Sequence, residues 1–267
     1  MRTTGIIYSP TLSFAVEISK DHPRYRSLAI REALARLTRQ GVVADTGLTA
    51  HGRGEAFDYL LGERTVPEAD LAERVAASYL LEAERPVISV NGNAAALCAD
   101  QIIELARAIP AVMEVNLFHR TEDRVDRVCS YMEERGAEVL GRDPDDALEG
   151  IASDRSLCCR EGIGSADVVL VPLEDGDRAQ ALVSAGKRVL AVDLNPLSRT
   201  SRTATVTIGE EVTRALPTIL FNLEGLRSRP EMRQELIAEF SNQDNLGAVG
   251  ERLCDHIREV LGDSSKA

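Results

Sequence analysis

The segment PVISVNGN, at residues 86–93, is the strongest indication of the fold class in this sequence. Its first five residues are mostly apolar and β-branched, which is typical of a buried parallel strand. Its last three residues are polar, and a helical pattern at Ala94–Ile109 follows them. A strand that ends in a polar turn and then enters a helix is the repeating unit of an open α/β sheet.

The same unit recurs along the rest of the chain. Short apolar runs predict strands at Val112–Leu117, Val168–Val171, Val189–Val192 and Thr205–Ile208, and a shorter one at Glu138–Leu140. Helical patterns predict helices at Thr121–Arg135, Arg178–Ala185, Val212–Leu223, Pro230–Phe240 and Leu246–Leu261. This alternation predicts an α/β fold, a Rossmann-like parallel sheet flanked by helices and joined by right-handed crossovers.

The residues before this sheet predict a helical N-terminal section. A helix is expected from Asp21 to Gly41, and another from Pro67 to Glu84. Between them, the glycine-punctuated stretch Gly47–Gly54 is expected to be a loop that leads into a short helix at Glu55–Leu61. We therefore predict three parts: 1–85 as a helical section packed on the main domain, 86–262 as the nucleotide-binding domain, and 263–267 as a disordered tail.

Composition restricts the class of partner. The formal net charge is −12, and such a surface repels nucleic acids and anionic membranes. No apolar run approaches the ~20 residues that a membrane span needs, and the chain starts without a signal-peptide pattern. We expect a cytoplasmic protein. Its cations are nearly all arginine, with only three lysines.

Polar residues follow four of the predicted strands, at Asn91–Asn93, Asn116–Arg120, Glu174–Arg178 and Asp193–Thr200. In open α/β sheets, ligands bind beyond the carboxyl ends of the strands, and helix N-termini there favour phosphate. An ordinary strand-to-helix turn explains any one of these segments, but four together favour a site for phosphorylated small molecules. Neither a Walker sequence nor a complete dinucleotide fingerprint is present.

Arginines and histidines of the N-terminal section could complete such a site. Arg24 and Arg31 lie two helical turns apart, hence on one face, although a solvated surface pair would look the same. Arg53, between two glycines, is expected to wrap a phosphate, because a guanidinium fork binds phosphate bidentately. His51 and the later His119 could carry protons or only make structural hydrogen bonds.

The carboxylates Glu174, Asp175 and Asp177 suit two different roles. Mg²⁺ typically takes one or two carboxylates together with substrate phosphates. The same residues could instead cap the helix that follows them. The sequence does not choose between these roles, and the metal ligands stay unknown at this stage.

Several long segments of this sequence resemble those of one family, archaeal 4-phosphopantoate–β-alanine ligase, also called phosphopantothenate synthetase. The matching segments are His22–Tyr25, Ser27–Leu28, Arg31–Glu32, Gly47–Tyr59, Gly62–Thr65, Pro86–Asn93, Glu114–Phe118, Leu173–Arg178 and Asp193–Thr200. The resemblance extends from about residue 20 to about residue 240. It implies a homodimeric ATP-dependent ligase of coenzyme A biosynthesis, which forms 4′-phosphopantothenate, AMP and diphosphate.

The resemblance also implies the ATP contacts, which fall on Arg31, Arg53, Asp193, Leu194, Asn195, Arg199, Thr200, Glu211 and Val212. The last two depart from the family pattern, because Gly209–Val212 reads Gly-Glu-Glu-Val where the family usually has Val-Asp-Asn-Ile. A backbone contact would survive this change, but a side-chain amide contact would not.

Roles in catalysis and substrate binding follow as expectations. Arg31, Arg53 and Arg199 are the candidate transition-state cations, and His119 is a candidate for steering a proton. The expected substrate-binding residues are Arg24, His51, Asn91, Gly92 and Asn93. ATP is the expected co-substrate, and Mg²⁺ is expected with it. Two alternatives stay open: a nucleotide-sensing module without turnover, and a pantothenate synthetase that acts on unphosphorylated pantoate.

Overall fold

A computed structural model describes residues 4–8 and 15–262 of the chain, with side chains from residue 19 onward. The predicted tail at 263–267 lies outside the described residues. The strands are β1 (Thr4–Tyr8), β2 (Ala15–Ser19), β3 (Pro86–Val90), β4 (Val112–Val115), β5 (Val139–Leu140), β6 (Asp146–Ala147), β7 (Leu157–Cys158), β8 (Val168–Pro172), β9 (Arg188–Val192) and β10 (Val206–Ile208). The α-helices are α1 (Tyr25–Arg39), α2 (Asp45–Leu61), α3 (Pro67–Glu82), α4 (Gly92–Ala108), α5 (Glu122–Glu133), α6 (Gly176–Ser184), α7 (Arg199–Thr203), α8 (Val212–Leu226), α9 (Pro230–Glu239) and α10 (Asn242–Gly262).

The stretch at 86–93 forms a central strand, β3, and the start of helix α4. Six parallel strands make the main sheet in the order β10-β9-β8-β3-β4-β5. The chain builds one half outward from β3 and then returns to build the other half from β8. The strand order therefore reverses between β3 and β8, and open α/β sheets bind ligands at such a switch point. The predicted Rossmann-like α/β fold is confirmed.

Both faces of the sheet are covered, which is why its strands are apolar on both sides. Along β3, the side chain of Ile88 faces one core and that of Val87 faces the other. The larger core lies among α1, α3, α4, α5 and α8, and the smaller lies against α6 and the segment that follows β6. The alternation follows from the two-residue period of a strand.

The N-terminal section is helical from Tyr25, but two of its predicted details are wrong. The first helix begins at Tyr25 rather than Asp21, because residues 20–24 form turns in which the amide of Arg24 donates to Nδ1 of His22 at 3.0 Å. Before it, β1 and β2 form an antiparallel pair that the sequence patterns did not indicate.

The expected loop at Gly47–Gly54 is also wrong. Helix α2 runs without a break from Asp45 to Leu61, so Arg53 lies on a helix and not on a bare loop between glycines. Glycine costs about 1 kcal/mol per residue in a helix interior. Buried contacts of Asp58 and Leu61 hold the helix against that cost. Among the described residues, no helix is long and apolar enough to cross a membrane.

Candidate active site at the carboxyl ends of the strands

The turn after β9, at 193–200, is built by its own polar side chains. The Asp193 carboxylate accepts a hydrogen bond from the amide of Asn195 at 2.9 Å and another from the Ser198 hydroxyl. The Asn195 side chain accepts from the amide of Leu197 at 3.0 Å. Burial raises the pKa of Asp193 above its ordinary value. The two polar side chains predicted to bind nucleotide thus also fix the shape of the turn.

Helix α2 packs directly on this turn. The Leu194 side chain is buried in a small cluster with Leu61, Val66, Ala69 and Val249. Arg53 projects from α2 and is exposed, and it makes no ion pair or hydrogen bond within the described part of the chain. Helix α2 therefore lies against the turn after β9, and the pairing of Arg53 with that turn stays a prediction.

The start of α8 closes the same region from the side of β10. Glu211 caps this helix, because its carboxylate accepts from the amide of Thr213 at 3.1 Å. The same carboxylate lies 3.3 Å from the guanidinium of Arg26 on α1. Val212 is buried. The Glu211 carboxylate therefore caps α8 and pairs with α1, and Val212 is the first residue of the helix.

A pocket of about 470 Å³ lies between α1 and α2. Its polar wall is a hydrogen-bonded network around Glu55, which accepts from Arg31 at 2.8 Å, from Ser27 at 2.6 Å and from Tyr59 at 2.8 Å. Burial alone would raise the pKa of Glu55, but these hydrogen bonds outweigh it and lower the pKa to about 2. Arg31 is thus held bidentately through Nε and Nη2, and its Nη1 makes no hydrogen bond to the residues that the structure describes.

Of two other predicted residues, His51 lines this pocket and Arg24 contacts it through Tyr59. Arg24 donates to the Tyr59 hydroxyl at 2.7 Å, and Arg31 donates to the same oxygen at 3.1 Å. The prediction that these two arginines share one face is confirmed. His51 lines the pocket, and burial lowers its pKa, so that the imidazole is neutral at pH 7.

The acidic turn at 174–177 is an ion-pair cluster. Glu174 pairs with buried Arg178, Asp175 pairs with Arg155, and Asp177 pairs with Arg199. Asp175 occupies the N-cap position of α6, but its side chain makes no capping hydrogen bond. The observed contacts of these side chains match neither the predicted magnesium-binding role nor the predicted capping role. Within the described ranges, no group of three or more histidine, cysteine, aspartate or glutamate side chains suits a metal ion.

Asn91–Asn93 begins α4 beside the switch point. Asn91 bonds to the backbone of α4 and of the segment after β8, and the Asn93 amide donates to the carbonyl of Gly47 at 2.9 Å. Gly92 allows a close approach, since a Cβ there would lie 2.2 Å from the Val42 carbonyl oxygen. Substrate binding by these residues stays a prediction, and their observed contacts are structural.

His119 lies in the segment between β4 and α5. Its ring meets that of Phe118 edge to face, with centroids 4.7 Å apart, and both side chains are exposed. The guanidinium of Arg155 lies 4.2 Å from the centroid of the Phe118 ring. These contacts place His119 near the acidic turn, and its role as a proton carrier stays a prediction.

Sequence reasoning missed several residues that hold the site together. They are Arg26, Ser27, Glu55, Asp58, Tyr59, Arg155 and Arg214. Three of them belong to the matching segment at residues 47–59, and Ser27 belongs to the matching segment Ser27–Leu28; these two segments were the available signal. The others are surface-type residues in helical or loop patterns, and only their tertiary contacts distinguish them.

The sequence is similar to a known protein family and to several named ligases. The family described as phosphopantothenate/pantothenate synthetase matches residues 68–256. The 4-phosphopantoate–β-alanine ligase of Methanospirillum hungatei JF-1 is 56% identical over 209 residues, 76% of this chain and 83% of the relative. The ligases of the same name from Methanosarcina mazei and Thermococcus onnurineus are 48% and 47% identical over 93% and 92% of this chain, and over 98% and 94% of their own lengths.

Proposed function

The chain belongs to the phosphopantothenate/pantothenate synthetase family, and on that premise we propose that it is a 4-phosphopantoate–β-alanine ligase of coenzyme A biosynthesis. One structural observation carries the proposal. Helix α2, which carries the exposed Arg53, packs through Leu61 against Leu194 in the turn after β9, so this helix lies against the carboxyl edge of the sheet. A phosphorylated acid and a nucleotide both require positive charge at that edge.

We propose that ATP drives the reaction through an acyl-adenylate. The carboxylate of 4-phosphopantoate attacks the α-phosphorus of ATP, and the bond from that phosphorus to the bridging oxygen breaks, which releases diphosphate. The neutral amine of β-alanine then attacks the acyl carbon, the acyl–oxygen bond breaks, and AMP leaves as the amine loses a proton. Catalysis of this kind depends mostly on positioning and on neutralising negative charge.

The residues named for ATP take complementary roles in this proposal. Arg31, Arg53 and Arg199 neutralise phosphate charge, and the turn Asp193–Asn195 supplies shaped backbone. The start of α8 at Glu211–Val212 adds backbone amides. Two observations support these roles. Glu55 accepts a hydrogen bond from Arg31 and so holds its guanidinium in place, and the Arg53 side chain is exposed. His119 stays the candidate that accepts the amine proton.

Mg²⁺ is proposed only as the partner of ATP. The carboxylates of Glu174, Asp175 and Asp177 are each paired with an arginine and do not fit a metal site as arranged. We therefore derive no step through a protein-bound metal. If Mg²⁺ acts through the triphosphate, activity will follow the concentration of the Mg²⁺–ATP complex and saturate as ATP itself becomes fully complexed.

AMP formation tests the proposed activity. The full-length protein should release AMP and diphosphate when ATP, 4-phosphopantoate and β-alanine are all present, and should lose turnover when any one is omitted. Turnover with pantoate in place of 4-phosphopantoate would instead support a pantothenate synthetase, which the family description also covers. Saturable ATP binding without AMP release under every condition would support a nucleotide-sensing module.

Replacing Arg53 with alanine should weaken ATP binding by about tenfold to a hundredfold, because a charge-assisted guanidinium–phosphate bond contributes about 1.5–3 kcal/mol. The measurement is the KM for ATP, together with direct titration of ATP binding. The control is Arg188→Ala, which removes an exposed arginine at the amino end of β9, at the opposite edge of the sheet. Unchanged ATP affinity in folded Arg53→Ala would remove this residue from the proposed site.

We further propose that the enzyme acts in the cytoplasm as a homodimer. The support is the resemblance of the sequence to a homodimeric family and the composition that argues against membrane partners. Light scattering after size-exclusion chromatography measures the molar mass directly. A mass near 29 kDa at assay concentration, the mass of one chain, would contradict the dimer.

A further inference from the structure

Beyond the backbone pairing of β3 with β8, the side chain of Asn91 bridges the carboxyl ends of these two strands. Its Nδ2 donates to two carbonyl oxygens at the carboxyl end of β8, that of Pro172, the last residue of the strand, at 2.9 Å and that of Leu173, which follows it, at 2.7 Å. Its Oδ1 accepts from the amide of Ala94 at 3.0 Å. Both amide hydrogens are therefore used, and the side chain joins the two central strands where their order reverses.

Leu173 has a backbone conformation that needs such support. Its φ is +63°, in the left-handed region that residues with a Cβ rarely adopt. Such conformations persist only where surrounding contacts enforce them. The carbonyl of Leu173 and that of the residue before it both accept from Asn91, and the amide of Leu173 donates to Val192 at 3.3 Å.

The left-handed residue directs the acidic turn against the start of α7. The Thr200 hydroxyl donates to the carbonyl of Glu174 at 3.0 Å, and Arg199 pairs with Asp177. The packing is close, because a Cβ on Gly176 would lie 2.5 Å from the Cβ of Arg199. A shift of the turn would therefore move both residues that are proposed to contact the nucleotide.

We propose that Asn91 is a positioning residue for nucleotide binding: by holding Leu173 in the left-handed conformation, it places Arg199 and Thr200 through the turn at 174–177. This inference rests on the proposed function. It differs from the sequence prediction that Asn91 itself binds substrate, since that role would need amide hydrogens that the backbone carbonyls already occupy.

The test is a rescue experiment on the full-length enzyme. Asn91→Ala should raise the KM for ATP by about tenfold to a hundredfold, the range expected for two lost hydrogen bonds, while the KM for 4-phosphopantoate changes by less than about threefold. Adding Leu173→Gly should bring the KM for ATP back to within about threefold of wild type, because glycine adopts positive φ without strain. Titration of ATP binding should show the same pattern.

Two further variants keep the test specific. Leu173→Asn retains a Cβ but tolerates the left-handed region, so it should also rescue Asn91→Ala, even if glycine loosens the packing. Glu63→Gly relieves a positive φ of 52° at the end of α2, away from the bridge that Asn91 makes. It should raise thermal stability in the Asn91→Ala background and leave the KM for ATP high.

Three outcomes would overturn the inference. They are a normal KM for ATP in Asn91→Ala, a failure of both Leu173 variants to rescue it, and an equal rescue by Glu63→Gly. A selective rise in the KM for 4-phosphopantoate would show that Asn91 binds substrate directly. A wild-type protein that binds ATP but forms no AMP would contradict the proposed function alone, and the binding titrations would still decide the role of Asn91.

Discussion

Replacing Arg214 with methionine should lower the free energy of unfolding by about 3–5 kcal/mol, the cost of leaving buried charge without its partner. Arg214 donates to the Asp58 carboxylate through Nη1 at 3.2 Å and to that of Glu210 through Nε at 2.6 Å. All three side chains are nearly buried. Methionine fills similar volume but leaves two carboxylates facing each other in a dry environment.

Chemical denaturation at pH 7 measures this loss in the free energy of unfolding. Two further variants show whether the unpaired buried charges cause it. Arg258→Met breaks an ion pair of similar length, 2.8 Å, whose side chains are 75% and 69% exposed, and should cost less than about 1 kcal/mol. Combining Arg214→Met with Asp58→Asn and Glu210→Gln removes the uncompensated charges and should recover more than half of the loss. A loss in Arg214→Met no larger than that in Arg258→Met would show that the triad does not contribute to stability.

The same substitution should also raise the KM for ATP. Asp58 lies on α2, one helical turn and a residue beyond Arg53, and Glu210 immediately precedes Glu211 at the start of α8. Arg214 thus joins the helix that carries a proposed phosphate cation to the strand ends that it serves. Arg214→Lys keeps the charge but loses the two-pronged geometry, so its effects should be intermediate.

The sheet was predictable because its strands are short apolar runs that are buried on both faces. All six predicted strands of the main sheet are present, including the short edge strand at Val139–Leu140. Helix ends with a local chemical signal were also predictable, such as Pro67 at the start of α3 and Gly41 after α1. These signals are local in sequence, and burial reinforces them.

What the sequence could not reveal depends on contacts between distant residues. Glycines at positions 47, 52 and 54 predicted a loop, but tertiary packing of Asp58 and Leu61 holds α2 as a helix. The polar ends of the strands suggested free ligand-binding groups, yet Asn91 and the acidic turn are engaged by the protein itself. A residue type at a strand end identifies the region of a site, and only its partners reveal its role.

Replacing Glu73 with glutamine should stabilise the protein at pH 7 by up to about 3 kcal/mol, and the gain should vanish toward pH 4. Glu73 lies within α3 with no exposed surface, and neither carboxylate oxygen has a hydrogen-bond partner among the described residues. Burial, then the charges of Glu210 and Asp70, raise the pKa of Glu73 to about 9.

The sign follows from comparing the two states. At pH 7 the folded protein holds Glu73 protonated, whereas the unfolded chain, with an ordinary pKa of about 4.3, ionises it. Folding must then take up a proton, so the carboxyl lowers stability progressively as pH rises from about 4.5 toward 9. Glutamine has the same shape and no ionised form, so the variant loses this pH-dependent cost.

Unfolding free energies of the two proteins, measured at several pH values from 4.5 to 9, provide the test. Glu104→Gln is the control, because Glu104 is exposed on α4, and its difference from wild type in unfolding free energy should stay constant with pH.

A Glu73→Gln difference in unfolding free energy that is equally constant with pH would mean that Glu73 is ionised in the folded state. A cation or ordered water would then have to compensate it, and added salt would change the stability of the wild type more than that of the variant. A difference that grows by about 1.4 kcal/mol per pH unit above pH 5 requires instead that the buried carboxyl stays neutral beside Glu210. In that case Arg214 pairs with two ionised carboxylates, that of Asp58 on α2 and that of Glu210 at the start of α8, and so connects the two elements.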